Sequence, residues 1–206
     1  MSPDVRVGLI DYGAGNLTSV AKGLRAAGGD VRYALGPRDL ERVDAIVLPG
    51  VGHFSATAPL DASWRAVIQD AIGARVPFLG ICLGMQWLFD GSDEAPELTG
   101  LGVFRGRCRA ITGAVKVPHV GWNTLDHVPR PAPTLDGIAP GAYAYFTHSY
   151  AAPVVAASVA TTTHGSTFSA AVERDRIVGV QFHPEKSGRT GLRLLANFLR
   201  MARESA

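Results

Sequence analysis

Pro77-Phe-Leu-Gly-Ile-Cys-Leu-Gly-Met-Gln-Trp-Leu-Phe89 is the longest nearly apolar run in the chain, and only Gln86 interrupts it. The run is too short to span a membrane, which takes about 18 or more apolar residues. Residues 77–81 have the composition of a buried strand, and residues 83–89 have that of a helix. The run therefore predicts a strand and a helix joined by a sharp turn at Cys82.

Glycines at positions 80 and 84 make room for a turn that carries the Cys82 side chain away from the sheet. This is the pattern of a nucleophile elbow, with cysteine in the place of the usual serine. The unsatisfied N–H groups at the start of the helix would favour the thiolate form. The alternative interpretation is a core cysteine, because free cysteine is commonly buried. This stretch alone leaves both interpretations open.

The composition favours an ordinary globular protein. Of the 206 residues, 47% are hydrophobic and 18% are charged, which predicts a single domain over residues 1–206. The net charge of +2, without a run of five like charges, indicates neither a nucleic acid nor a membrane as partner. The two cysteines make no disulfide framework, which favours a reducing compartment. Residues 1–4 lack the features of a signal peptide, so we expect a cytoplasmic location.

Short apolar runs alternate with segments of helical periodicity through the first half of the chain. The predicted strands, apolar on both faces as in a parallel sheet, span residues 5–10, 31–35, 44–48 and 77–81. The predicted helices begin at Leu17, after the candidate N-cap Asn16, and at Asp61. This alternation predicts an α/β fold with an open, mostly parallel central sheet and flanking helices.

After residue 90, short β-like segments are separated by proline and glycine, which predicts hairpins more than crossovers. These segments span residues 142–150, 154–161, 167–172 and 177–182. They predict an additional antiparallel portion in the C-terminal half. Residues 103–111 alternate as in an exposed or edge strand, where Cys108 lacks a glycine turn and is interpreted as structural. The apolar spacing over residues 190–203 predicts an amphipathic closing helix.

The candidate base lies in Val178-Gly-Val-Gln-Phe-His-Pro-Glu-Lys186, where His183 ends an apolar strand and Pro184 breaks it. Residues two apart in an extended segment project to the same side. Glu185 could therefore fix the imidazole tautomer and stabilise the imidazolium. Cys82, His183 and Glu185 then form a nucleophile, a base and an orienting acid, in the chain order of elbow nucleophiles.

Metal binding is the competing interpretation of His183 and Glu185, and a satisfied surface histidine is the structural alternative. None of the six histidines lies in a His-x-x-x-His pattern, and no Cys-x-x-Cys occurs, so we expect no metal ion. Gly13-Ala-Gly15 matches half of a dinucleotide fingerprint, but Thr18 stands where the third glycine belongs. We therefore expect no cofactor.

Pro49-Gly-Val-Gly52 follows the third predicted strand. A glycine-flanked loop beyond a strand end is where ligands meet an open α/β sheet. Its glycines would let backbone N–H groups approach a ligand closely. A tight turn without function is the alternative.

Gly80-Ile-Cys-Leu-Gly-Met-Gln86 together with Gln181-Phe-His-Pro-Glu185 resembles the class I glutamine amidotransferases. Other segments resemble one family in that class, the glutaminase subunits of imidazole glycerol phosphate synthase. These segments are Ile10-Asp-Tyr-Gly-Ala-Gly-Asn-Leu17, Pro49-Gly-Val-Gly52, Lys116-Val-Pro-His-Val-Gly-Trp-Asn123, Phe146-Thr-His-Ser-Tyr150 and Pro184-Glu-Lys-Ser187. The resemblance extends over essentially the whole chain. It departs at His53, where a small residue is expected.

The resemblance implies that Cys82 attacks the side-chain amide of L-glutamine and that His183 protonates the departing ammonia. Backbone groups of Leu83 and of the Val51-Gly52 region would hold the oxyanion. The residues implied for holding the amino-acid end of glutamine are Gly52, Gln86, His148, Ser149 and Tyr150.

The resemblance also implies a heterodimer with a (β/α)₈ cyclase, which would use the ammonia to make imidazole glycerol phosphate and aminoimidazole carboxamide ribotide in histidine biosynthesis. Asn16, Trp122 and Lys186 match segments that would lie near this partner, with core burial as the alternative for Trp122.

Two other functions remain as alternatives. One is a glutaminase serving another acceptor, such as anthranilate or a nucleotide, against which residues 11–16 and 116–123 argue. The other is a non-catalytic α/β binding module, against which the complete set of Cys82, His183 and Glu185 argues.

Overall fold

A computed structural model describes residues 5–204 of the protein. The expectation of no signal peptide concerns residues 1–4, which lie outside the described residues. The described strands are β1 (Val5–Ile10), β2 (Gly29–Ala34), β3 (Ala45–Leu48), β4 (Phe78–Ile81), β5 (Gly91–Ser92), β6 (Arg107–Ala110), β7 (His119–Thr124), β8 (Asp126–His127), β9 (Tyr143–His148), β10 (Tyr150–Ala151), β11 (Ser158–His164), β12 (Ser166–Arg174) and β13 (Ile177–Val180). The described helices are α1 (Leu17–Ala26), α2 (Ala62–Gly73), α3 (Leu83–Trp87) and α4 (Gly188–Arg203).

The central sheet has eight strands in the order β2-β1-β3-β4-β13-β12-β11-β8. The first five strands are parallel neighbours. Strands β12, β11 and β8 continue the sheet in antiparallel pairs, and the β11–β12 and β12–β13 pairs are hairpins. The predicted fold, a mostly parallel sheet with an antiparallel portion from the C-terminal half, is confirmed.

Helices cover both faces of the sheet. The core on one face joins α1 and α4, through side chains such as Leu24 and Phe198. The core on the other face joins α2 and α3, through side chains such as Trp64 and Trp87. Successive strand residues alternate between the two cores because their side chains point to opposite faces. The apolar runs of the parallel strands are explained by this burial on both sides.

The residues at the helix ends follow the sequence signals. The Asn16 side chain caps α1 by accepting from the Ser19 N–H, and Gly28 follows the helix with φ +92°. Asp61 caps α2. Helix α3 is shorter than the predicted 83–89, because the carbonyl groups of residues 87–89 accept hydrogen bonds from the N–H groups of residues 101–104 instead of continuing the helix.

The prediction of an exposed or edge strand over residues 103–111 is confirmed only in part, because the strand spans Arg107–Ala110, has exposed residues and is not at an edge. Strand β6 begins only after Gly106, whose φ of +110° breaks the extended segment. It then lies between β5 and β10, in the middle of a small three-stranded sheet. Cys108 in this strand is fully buried, and burial raises the pKa of its thiol. Both observations fit the structural interpretation of Cys108.

Two glycines are required at the turn between β4 and α3. A Cβ atom on Gly84 would overlap the carbonyl oxygen of Leu48 in β3. A Cβ atom on Gly80 would lie 2.6 Å from the Gly84 carbonyl oxygen. These are backbone contacts, so no side-chain movement can relieve them. The start of α3 is therefore pressed against the sheet as closely as the backbone allows.

We predict that Gly84→Ala lowers the free energy of unfolding by about 3 kcal/mol, because the overlap with Leu48 forces β3 and α3 apart. The control is Gly73→Ala at the end of α2, where an added Cβ meets no atom within 4 Å. That change should leave stability unchanged or raise it by up to about 1 kcal/mol. Urea unfolding of both variants is the measurement, and a Gly84→Ala protein as stable as the control would contradict the close packing.

Candidate active site

Cys82 adopts a strained backbone conformation between β4 and α3. Its φ of 54° and ψ of −106° lie outside the regions that L-residues usually occupy. Its N–H donates to the Val180 carbonyl at 2.7 Å, which ties the turn to β13. The cysteine is 5% exposed. This geometry is the sharp turn expected of a nucleophile elbow.

The structure brings His183 and Glu185 to the same end of the sheet as Cys82. Strand β13 runs parallel to β4, with Val180 paired to Ile81, so both chains leave the sheet at one edge. The Nδ1 atom of His183 lies 2.9 Å from Glu185 Oε1, and both side chains are buried. Because an ionised carboxylate only accepts, Nδ1 carries the hydrogen. The other ring nitrogen, Nε2, has no hydrogen-bond partner among the described residues.

The charges around His183 favour its protonated form. Burial of the ring lowers the pKa of His183, but the Cys82 sulfur and the Glu185 carboxylate together outweigh burial and raise it to about 9. The Ser187 hydroxyl donates to the His183 carbonyl at 2.7 Å and accepts from the Tyr145 N–H at 2.9 Å. These bonds fix the segment that carries the imidazole.

The N–H of Leu83, which we expected to hold an oxyanion, is engaged within the protein. It donates to the Gly50 carbonyl at 3.4 Å, which is long for a hydrogen bond between backbone groups. Val51 is 36% exposed, and Gly52 has a φ of +90°. A ligand oxygen can reach the Leu83 N–H only if the Gly50 carbonyl moves away.

His53 departs from the family pattern, and its side chain caps the short turn that follows this loop. Its Nδ1 accepts from the Ser55 N–H at 3.1 Å and caps a short 3₁₀ turn at Phe54–Thr57. The Phe54 N–H donates to the Glu94 carboxylate at 2.8 Å. The loop is therefore anchored immediately after its last glycine.

Three residues near the Cys82 sulfur have no role predicted from the sequence. The Gln181 side-chain amide donates to Cys82 Sγ at 3.5 Å, and the Thr147 carbonyl lies 3.9 Å from Sγ. The buried Tyr12 hydroxyl has no partner among the described residues, and both burial and the charge of Cys82 raise the pKa of Tyr12. The position of Gln181 could have been predicted from the sequence. It precedes His183 by two residues, so in an extended segment both side chains project to the same side.

Gln86 is buried on α3, with its amide nitrogen bonded on both sides. Nε2 donates to the Tyr150 carbonyl at 2.8 Å and to Gln181 Oε1 at 3.1 Å. Only its Oε1 is left for a ligand. The expected substrate-binding role of Gln86 therefore remains a prediction, and it concerns the side-chain oxygen alone.

The ring of His148 is bonded to protein at both nitrogens. Its Nδ1 donates to the Tyr150 carbonyl at 2.9 Å, and its Nε2 accepts from His119 Nδ1 at 3.2 Å. Burial is the main cause that lowers the pKa of His148 to about 3 and that of His119 to about 4. Both rings are therefore neutral. Since both ring nitrogens are engaged, only the backbone of His148 is left for the expected substrate contact. That contact, and those of Ser149 and Tyr150, remain predictions.

The residues expected near a partner are exposed. Trp122 on β7 is 54% exposed and meets the Tyr145 ring edge-on, with ring centroids 6.0 Å apart. The Lys186 ammonium lies 5.7 Å from the centre of the same ring. Asn16 is exposed at the start of α1. The alternative of core burial for Trp122 is wrong, while the partner role of these residues stays a prediction.

Between residues 5 and 204, no group of three or more His, Cys, Asp or Glu side chains is placed to hold a metal ion. His164 stacks on His119 with ring centroids 4.1 Å apart, and its Nε2 bonds the Lys116 carbonyl. These histidines are therefore held by protein contacts. No helix in the same part of the chain is long and apolar enough to cross a membrane.

Comparison with known sequences gives consistent relatives over almost the full chain. The family model described as Glutamine amidotransferase class-I matches residues 8–202. Imidazole glycerol phosphate synthase subunit HisH of Deinococcus radiodurans is 46% identical over 198 residues, covering 93% of this chain and 92% of that protein. HisH of Thermococcus kodakarensis is 47% identical over 201 residues, covering 95% of this chain and 100% of that protein.

Solved structures with the same fold are more distant in sequence. PurLQS from Thermotoga maritima matches with a TM-score of 0.75 and 17% identity, covering 96% of this chain and 99% of that chain. A putative GMP synthase subunit from Thermoplasma acidophilum matches with a TM-score of 0.74 and 17% identity, covering 99% of this chain and 96% of that chain. At this identity the likeness shows the fold alone.

The histidine pKa values predict that stability is greatest near pH 6.5. For His148 and His119 the folded pKa lies below the unfolded value of about 6.5, so the unfolded chain binds more protons in acid. The free energy of unfolding should fall from pH 6.5 to pH 4, by up to about 1.4 kcal/mol per pH unit for His148. For His183 the folded pKa is raised, so its stabilisation is full below pH 6.5 and is lost as pH rises through about 9.

The measurement is urea unfolding between pH 4 and 9, with His148→Gln as the comparison. Glutamine keeps a donor for the Tyr150 carbonyl but does not titrate, so the acid decline should become shallower and the alkaline decline should remain. An acid decline that is equally steep in both proteins would contradict the assignment of His148 as a neutral buried ring.

Proposed function

Because the chain belongs to the class I glutamine amidotransferases and, within them, to the HisH subunits of imidazole glycerol phosphate synthase, we propose that it is the glutaminase subunit of such a synthase. It hydrolyses L-glutamine to glutamate and ammonia, and the ammonia passes to the partner subunit for histidine biosynthesis. The observation that carries this proposal is the arrangement of Cys82, at a strained strand-to-helix turn, beside the buried His183–Glu185 pair.

The first half of the reaction forms a thioester. The thiol proton of Cys82 moves to Nε2 of His183, which has no other partner in the described part of the chain. The sulfur attacks the side-chain amide carbon of glutamine, and the carbonyl oxygen takes the negative charge. His183 then gives its proton to the amide nitrogen, the C–N bond breaks, and ammonia leaves.

The second half releases glutamate. Water gives a proton to Nε2 of His183 and attacks the thioester carbon. The resulting oxyanion collapses, the C–S bond breaks, and His183 returns its proton to the Cys82 sulfur as glutamate leaves. Glu185 keeps the proton on Nδ1 and stabilises the imidazolium in both halves, because its Oε1 stays hydrogen-bonded to that nitrogen.

Oxyanion stabilisation requires a change in the loop around Gly50. The Gly50 carbonyl occupies the Leu83 N–H, so a developing oxyanion would compete with it. Rotation of the peptide between Gly50 and Val51 would remove this carbonyl and could present the Val51 N–H or its neighbour Gly52. Since loss of one oxyanion donor typically costs about 10²–10³ in rate, the described conformation corresponds to a slow enzyme.

The amino-acid end of glutamine fits beside this loop. Gly52 offers backbone that a ligand can approach closely, since its φ of +90° suits glycine and an added Cβ would meet open space. Gln86 offers its amide oxygen, and the backbone around Ser149 and Tyr150 borders the same buried amides. We assign the substrate contacts to these groups, with His148 holding the Tyr150 carbonyl in place.

The partner is a cyclase subunit with a (β/α)₈ barrel, bound as a heterodimer. The cluster of the exposed Trp122 and Lys186 with the half-buried Tyr145 offers it aromatic and cationic surface next to the segment that carries His183. The Tyr145 N–H is bonded to Ser187, which in turn holds the His183 carbonyl. Docking at this cluster is therefore connected to the base through two hydrogen bonds.

A glutaminase serving another acceptor is the second candidate. It shares the chemistry at Cys82 and differs only in the partner. The relatives at 46% and 47% identity carry the HisH name, whereas the structural neighbours PurLQS and the GMP synthase protein share 17% identity. The first candidate is therefore favoured.

We predict that Cys82→Ser reduces glutamine-dependent product formation by about 10³-fold or more, while the complex still works with free ammonia, because only the nucleophile is removed. The measurement compares both nitrogen sources in the assembled complex. The control is Cys108→Ala, which removes the other cysteine and should keep glutamine-dependent turnover. If Cys82→Ser retains turnover with glutamine, the nucleophile is misassigned.

We also predict that the isolated chain hydrolyses glutamine slowly and that adding the cyclase with its ligand raises the rate by about 10²-fold or more. The reason is the bond between the Leu83 N–H and the Gly50 carbonyl, which must break for the oxyanion to be held. Glutamate release is measured with and without the partner. Equal rates would show that the loop needs no rearrangement.

A further inference from the structure

We infer that Gln181 is a further catalytic residue, whose side-chain N–H donates to the reacting sulfur of Cys82. This inference rests on the proposed glutaminase function and adds a second group beside His183 that acts on the nucleophile. Gln181 follows β13 directly, at the level of Cys82 after β4, because Val180 pairs with Ile81. The fold therefore places the amide and the sulfur side by side.

The contact is direct and shielded from water. Gln181 Nε2 lies 3.5 Å from Cys82 Sγ, within the range of hydrogen bonds to sulfur, and Gln181 has no exposed surface. Because no water competes there, the amide dipole acts on the sulfur more strongly than it would at the surface. A donor in this position stabilises the sulfur when it carries negative charge.

The orientation of the Gln181 amide is determined by its neighbours. The Tyr150 carbonyl can only accept, so the Gln86 atom 2.8 Å from it is the nitrogen. The same nitrogen lies 3.1 Å from the Gln181 amide, so the atom facing it there is an acceptor, the oxygen. The Gln181 nitrogen must then face Cys82. The reverse orientation would set two nitrogens against each other and direct an oxygen at the sulfur.

The Tyr150 carbonyl, on which this deduction depends, is itself held in place. His148 Nδ1 donates to it, and His148 Nε2 accepts from His119 Nδ1. His119 Nε2 in turn accepts from the Asn123 amide at 3.2 Å. Each of these groups has one consistent donor or acceptor role when both imidazoles are neutral. The network therefore fixes the Gln181 amide before substrate binds.

The donor matters at two moments of the reaction. It stabilises the thiolate that forms when His183 takes the Cys82 proton. It stabilises the sulfur again when the oxyanion formed by water attack on the thioester collapses and the C–S bond breaks. The Thr147 carbonyl, 3.9 Å from Sγ, accepts a hydrogen bond from the neutral thiol. Gln181 and Thr147 thus hold the sulfur in one position, and only Gln181 favours its charged form.

The test compares Gln181→Met with Gln181→Glu, each in the Cys108→Ala background so that Cys82 is the only cysteine. Methionine fills similar volume without a donor, and glutamate places a carboxylate beside the sulfur. The measurement is the rate of Cys82 alkylation by iodoacetamide as a function of pH. We expect the alkylation midpoint to rise by about 1 pH unit in Gln181→Met, and by more in Gln181→Glu, because repulsion adds to the lost donor.

Glutamine hydrolysis by the same variants in the assembled complex should lose about tenfold in kcat for Gln181→Met, with KM for glutamine changed less than twofold. Unchanged alkylation midpoints, or equal midpoints for the two variants, would overturn the inference even if activity falls, since lost packing alone does not depend on charge. Iodoacetamide needs no glutamine, so this result is independent of the Cys82→Ser test of the glutaminase function.

A measurement on the unsubstituted protein guards against variants that fold poorly. The Gln181 side-chain amide resonance, observed by NMR with ¹⁵N-glutamine labelling, should shift when Cys82 is alkylated and should titrate with the alkylation midpoint. A resonance that responds to neither would overturn the inference.

Discussion

The parallel pairing of β4 with β13 is the constraint on which the site depends. Strands far apart in the chain become neighbours, with Ile81 beside Val180, and the Cys82 N–H is bonded to the Val180 carbonyl. Cys82, the proposed nucleophile, therefore takes its position from the strand that also delivers Gln181 and His183. Any change that shifts this register by one residue would turn the base and the amide to the other side of the chain. The two glycines of the turn serve this pairing by letting α3 start directly against the sheet.

The site combines two kinds of buried polar group. The imidazole of His183 is held in a site that favours its charged form, because Cys82 and Glu185 raise its pKa. By contrast, burial lowers the pKa values of His148 and His119 and keeps both rings neutral. Neutral rings have fixed donor and acceptor nitrogens, so they can hold a carbonyl and two amides in one orientation. Protonating either ring would replace an acceptor by a donor and break that order. The same end of the sheet thus contains the proposed base His183, whose protonation changes in the proposed reaction, and a network of histidines whose protonation must stay fixed.

Much of the fold was predictable from periodicity and turn residues. Strand β1 matches its predicted bounds, and α1 begins and ends where Asn16 and Gly28 indicate, because these are local signals. The side chains expected to react were predicted from the elbow glycines and the spacing of His183 and Glu185. What was missed depends on contacts between distant segments, such as the loop at residues 101–104 that ends α3, and the Gly50 carbonyl that occupies the Leu83 N–H. No local pattern records those hydrogen bonds.

The proposed reaction requires Cys82 to become covalently attached to the substrate. Mass spectrometry of the complex, quenched in acid during turnover of glutamine, tests it most directly. We predict a glutamyl adduct on the peptide that contains Cys82 and none on the peptide that contains Cys108, since the second thiol is fully buried in β6. Turnover without an adduct on Cys82, or with the adduct on another residue, would show that Cys82 is not the nucleophile.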